Sequence, residues 1–113
     1  MEKRRITKFI KNEVGSNRVP EGGGSWIDYW FSNTTFIPLF LRCPICGCLL
    51  DNNGLVTIEY EGAHIRLLEK SNKWSDKIYI VPMCHKCNCQ FGKTLQVLDD
   101  YKDLVVVEEI CKE

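Results

Sequence analysis

The residues with the most chemistry to offer are cysteines at a repeated spacing. Cys43 and Cys46 sit in Cys43-Pro44-Ile45-Cys46-Gly47, and Cys84 and Cys87 sit in Cys84-His85-Lys86-Cys87-Asn88. A tight turn across such a spacing points both sulfurs to one side, and amides after the first cysteine can donate to its sulfur. Gly47 follows the first pair where a turn of that kind often needs positive φ. Two such pairs supply the four soft ligands of a tetrahedral ion, which is the donor set of a structural zinc site of the zinc-knuckle type. A rubredoxin-like iron centre uses the same donors, so the spacing alone leaves zinc and iron both open. The 37 residues between the pairs have room for a strand and a hairpin, so the metal would staple the two ends of a β-rich unit. Arg42, Lys86 and Lys93 lie close in sequence to the ligands and can offset the negative charge of four thiolates.

Seven cysteines in 113 residues is an odd count, which argues against a closed disulfide framework. The N-terminus is basic but lacks the apolar segment and cleavage site of a secretory signal, so a reducing, cytoplasmic location is expected. Cys48 and Cys89 each lie two residues past the second ligand of a pair. They read as substitute ligands, redox-active thiols or small buried hydrophobes, with the last expected. Cys111 in the polar tail carries no assigned role.

Length bounds the chain to one domain, small enough for a metal to matter to its stability. The longest apolar run, 36–41, is interrupted by Pro38 and falls far short of the roughly 20 residues that span a bilayer, so no membrane association is expected. Fifteen basic and fifteen acidic side chains cancel, which excludes a globally basic nucleic-acid binder. The charges are unevenly spread, however. Lys3, Arg4, Arg5, Lys8, Lys11 and Arg18 crowd the first segment, and Asp99, Asp100, Asp103, Glu108, Glu109 and Glu113 the last. The basic segment could contact nucleic acid, dock on the acidic tail, or simply be solvated.

The elements that must position the cysteines follow. Residues 1–24 read as a basic arm ending in the Gly22-Gly23-Gly24 linker, and 25–113 as the metal-binding domain. Ser25 fits an N-cap with Asp28 reaching back, opening a short helix whose Trp26 and Trp30 share a face. That helix is expected to pack on a small core; the alternative is a protein-binding face over 26–31, from Trp26 to Phe31. A turn at 51–54 precedes a half-buried strand at 55–60. A hairpin is expected from 63–68 and 77–81, then a short helix among 84–88 limited by Gly92, and a last strand at 104–107.

The segments CPICG at Cys43, GAHI from Gly62 to Ile65 and VPMCHKCN from Val81 to Asn88, trailed by Lys93, resemble the HNH endonuclease superfamily. The resemblance covers somewhat under half of the chain. It implies an α+β fold, a small zinc-stabilised treble-clef (ββα-metal) domain with β-hairpins and short helices. It also places His64 on the family's general base and Asn88 near the helical residue that helps bind a catalytic divalent metal. Ala63 stands where the family usually has a metal-binding Asp, and Tyr79 about where it has the Asn that orients the histidine. Glu61 is the available substitute carboxylate. The implied reading is a degenerate member: a zinc module, catalytically weakened, that binds nucleic acid or a partner. The alternatives are an active nuclease using His64 with a second divalent metal, and a structural zinc protein for protein–protein contacts. A structural His64 would bond near the knuckle, and His85, between two ligands, would simply be exposed.

Overall fold

The computed structural model describes residues 1–14, 19–50 and 60–111. The turn expected at 51–54, nearly all of the strand expected at 55–60, and the charged residues Arg18, Lys112 and Glu113 lie outside them. Among the described residues the strands are β1 (Lys3–Arg5), β2 (Phe9–Asn12), β3 (Tyr60–Leu67), β4 (Tyr79–Cys84), β5 (Thr94–Gln96) and β6 (Val105–Glu108). They form one antiparallel sheet in the order β1-β6-β4-β3-β2-β5, with helices α1 (Trp26–Asn33) and α2 (His85–Asn88) and a 3-10 turn at Asp99–Tyr101.

That order cannot lie flat. β1 and β2 are four strand positions apart, about 19 Å at the usual spacing. Only residues 6–8 join them, and that stretch of chain reaches about 14 Å when fully extended. The sheet therefore curls until the two strands approach. Backbone bonds from Ile6 to Leu104 and from Val97 to Lys8, each 2.8 Å, carry the β1–β6 and β2–β5 ladders into that connection.

The pairing register divides the core between two faces. Ile10 opposes both Leu67 and Leu95, Ile65 opposes Tyr79, and Ala63 opposes Val81, so these side chains share the inner face. On the other face His64 opposes Ile80, which opposes Val107, and α1 covers them. β4 is buried at every position because it has core on both sides.

α1 forms as its sequence suggests. The Ser25 hydroxyl accepts from the Asp28 amide at 3.2 Å and caps the N-terminus. Tyr29 and Trp30 are buried; the Trp30 indole donates to the Val105 carbonyl at 2.8 Å, and the Tyr29 hydroxyl donates to that of Glu108. The aromatic face over 26–31 is thus largely spent on the chain's own sheet. Gly62 is what lets the helix sit so close: a Cβ there would fall 2.6 Å from the Trp26 carbonyl carbon and 2.7 Å from the Ile27 nitrogen.

The first segment departs from expectation. Residues 1–24 do not form a separate arm, because β1 pairs with β6 and β2 lies between β3 and β5. Ile6 and Ile10 enter the core, and that burial outweighs the charged character of the neighbouring side chains. Two of the segment's charges have acidic neighbours. Arg4 makes a two-pronged contact with Glu69, including Nη2 to Oε2 at 3.0 Å, and Arg5 lies 3.5 Å from Asp103. The hairpin β3–β4 is longer than the expected 63–68 and 77–81, and the short helix and last strand fall where the sequence put them. No helix among the described residues is long and apolar enough to cross a membrane.

Candidate metal centre

Two separate elements bring the four cysteines together. The first is a narrow loop closed by a bridge between Arg42 and Leu49. Within it the Cys43 amide donates to the Cys48 carbonyl at 2.9 Å and the Gly47 amide to the Cys43 carbonyl at 2.8 Å. Gly47 has φ of +77°, the left-handed conformation in which a side chain is strained. The second element is the junction of β4 with α2: Cys84 ends the strand and Cys87 lies in the one-turn helix. The long hairpin β3–β4 delivers that junction to the loop.

The sulfurs of Cys43, Cys46, Cys84 and Cys87 all lie within 4.8 Å of one another, and all four cysteines are free. Cys46 Sγ and Cys84 Sγ are 3.7 Å apart. A tetrahedral ion with metal–sulfur bonds of about 2.3 Å separates its ligands by about 3.8 Å. The donor set and its spacing therefore fit one thiolate-bound metal ion. Cys43, Cys84 and Cys87 are buried and Cys46 is exposed, so the site lies at the surface with one side open.

The surroundings of each sulfur set how readily it ionises. Burial pushes the Cys43 thiol up, against the amides of Cys46, Cys84 and Ile45 that donate to its sulfur. Burial, then the neighbouring Cys43, also pushes Cys87 up. Cys46 is burdened by burial too, yet the Cys48 amide and the surrounding thiols draw it down to about 7. Four thiolates so close repel one another, and a dication removes the conflict. Cys48 is partly buried beside Cys46 and Cys84, and its thiol is pushed up to about 12 by burial and by those neighbours.

The two candidate catalytic residues are not brought together. His64 is 6% exposed. Its Nδ1 lies 3.6 Å from Glu109 Oε2, and the Trp26 ring packs edge-on against the imidazole with centroids 5.1 Å apart. Asn88 lies elsewhere and donates from Nδ2 to Glu61 Oε1 at 2.9 Å, an oxygen shared with His85 Nδ1 at 2.9 Å. Tyr79 bonds Glu2 through its hydroxyl at 2.8 Å. The buried Asn12 donates from Nδ2 to the Asn88 carbonyl, while its Oδ1 is buried without a partner.

Sequence reasoning missed Glu109 as the companion of His64, and no local signal could have shown it across 45 residues of chain. It also undervalued His85, whose spacing of three and four residues from Asn88 and Cys89 was legible as a helix face. Cys89 Sγ is 3.4 Å from His85 Nε2 and 3.9 Å from Nδ1. Nearly equal distances to both ring nitrogens put the sulfur over the ring, not along a nitrogen lone pair, so the two are not aligned as nucleophile and base. Comparison with protein-family models, with curated proteins and with solved structures finds no match to this chain.

Proposed function

We propose that this chain is a zinc-stapled, treble-clef-like module that acts by binding a protein partner, not by hydrolysis. Support for the fold assignment comes from the order of its parts: a cysteine loop, a β-hairpin, then a helix start bearing the second cysteine pair. Zinc is favoured because four thiolates at a tetrahedral spacing are its usual structural donors. Support for a non-catalytic role rests on one observation, the burial of His64. A general base must reach the water it activates, and this imidazole is enclosed by Trp26 and Glu109. A protein partner is favoured over nucleic acid because Arg4 and Arg5 are engaged by Glu69 and Asp103, while Lys8 and Lys11 lie over the Phe9 and Trp74 rings.

The test is metal analysis of the purified chain, followed by incubation with plasmid and single-stranded DNA plus magnesium, manganese or nickel. His64→Ala and His85→Ala variants run alongside, the second because its imidazole is the exposed one. One zinc per chain and no cleavage above the level of both variants is the expected result. Cleavage lost specifically in His64→Ala would restore the nuclease reading.

A further inference from the structure

The segment between α1 and the cysteine loop spends its apolar side chains on solvent. Phe36 is 59% exposed, Ile37 51%, Leu39 91% and Phe40 66%. At about 200 Å² per large side chain these four expose roughly 500 Å². That is near the upper end for the largest apolar patch on a monomer, and such patches mark interaction sites. Beside the protruding Leu39 lies a cavity of about 180 Å³, walled by Phe36, Pro38, Phe40 and Leu41 on one side and by Tyr101 and Leu104 on the other. An apolar cavity of about 150 Å³ admits a benzene-sized group, so this one has room for a leucine side chain. Arg42, Asp100 and Asp103 also line it, with Arg42 Nη1 donating to the Gly47 carbonyl at 3.1 Å.

We propose that this surface is a two-fold interface with a second copy of the same chain. An isologous contact requires one patch to be complementary to itself, with residue i meeting residue j and j meeting i. This patch holds a knob, a hole of matching size, and both signs of charge. Across a two-fold axis, Leu39 of each copy enters the cavity of the other, and each Arg42 faces the other copy's Asp100. Asp103 is already engaged by Arg5 of its own chain. The exposed apolar area alone supplies over half of the roughly 800 Å² that each partner contributes to a standard interface, and the charged rim completes it. A bilayer is the less suitable occupant, because two carboxylates at the rim are repelled by anionic headgroups. The inference stands whichever metal the cysteines hold.

Sedimentation velocity over a concentration series tests it on the full metal-loaded chain. The wild type is expected as a dimer. Leu39→Asp acts twice across the axis and is expected to raise the dissociation constant about 100-fold or more, with metal content and thermal transition unchanged to show that the fold survives. Arg42→Glu is expected to weaken the dimer, and Arg42→Glu with Asp100→Arg to restore it. A wild type that stays monomeric, or a Leu39→Asp variant that still dimerises, overturns the proposal. Loss with Arg42→Glu that the double variant does not recover overturns the two-fold geometry. Co-flotation of a monomeric wild type with neutral phosphatidylcholine vesicles would assign the patch to a membrane instead.

Discussion

Replacing Gly62 with alanine adds one methyl group, and the docking of α1 on β3 determines what that methyl group costs. Gly62 does not adopt a positive φ, so alanine suits its backbone and the whole effect is steric. The added Cβ would lie 2.6 Å from the Trp26 carbonyl carbon, 2.7 Å from the Ile27 nitrogen and 2.8 Å from the Trp26 Cβ. Two of those atoms are backbone at the first turn of the helix, so no side-chain rotation relieves the contact. The helix must move by about 1 Å to restore ordinary separation, and Tyr29 and Trp30 move with it out of a packed core. Overpacking of this kind costs about 1–3 kcal/mol, and the upper part of that range applies here because rigid backbone resists. Urea unfolding followed by tryptophan fluorescence is the assay, since Trp26 and Trp30 both sit on the displaced helix. The control is Gly92→Ala, where no atom lies within 4 Å of the added methyl but φ is +74°. Its cost is about 1–2 kcal/mol from backbone strain alone, with the native fluorescence unchanged. A Gly62→Ala variant within about 0.5 kcal/mol of wild type, with unaltered native fluorescence, would refute the close approach of α1 to β3.

Other perturbations probe the metal, the charges and the helix face. Cys87→Ser is expected to lose stoichiometric zinc and cooperative folding, because structural zinc binding contributes about 10–16 kcal/mol; elemental analysis with circular dichroism reads both. The Arg4 guanidinium holds the Glu69 carboxyl below its usual 4.5, so that ion pair stabilises the fold above the unfolded value and is lost as pH falls through the lowered folded one. Acid unfolding should therefore begin at higher pH in Arg4→Met than in wild type, and identical acid limbs would count against the pairing. Trp30→Phe removes the bond to the Val105 carbonyl and leaves that acceptor short of a partner, at about 1–3 kcal/mol by urea titration.

Much of the site could be read from local spacing, and most of the fold that presents it could not. The cysteine pairs, Gly47, the Ser25 cap and the helix start after Cys84 are determined by neighbours a few residues away, so the sequence carries them openly. β1 and β2 hid behind their charges. Lys3-Arg4-Arg5 looks like a solvated arm until Glu69, 65 residues on, supplies a partner for Arg4. His64 stayed open between two roles: a short motif around it resembles a catalytic strand, whereas its burial is decided by Trp26 and by Glu109 near the far end of the chain. The run 36–41 shows in sequence only that it is too short for a membrane, because its exposure depends on where α1 and the turn Asp99–Tyr101 come to rest.

Those two placements bear on each other through a single connection. The exposed loop leaves α1 at Thr34, whose amide bonds the Trp30 carbonyl at 2.8 Å, and re-enters the fold at Cys43. One end is thus held by the close seat of α1 on Gly62, and the other by whatever the four sulfurs bind. The turn that walls the cavity is fastened to the same cysteine loop, through the Leu98 amide to the Pro44 carbonyl at 2.9 Å. A metal at the thiols therefore does more than stabilise a small domain. Such an ion would hold both walls of the apolar cavity relative to each other, so the shape of the proposed interface would depend on it although none of the four cysteines lines that cavity.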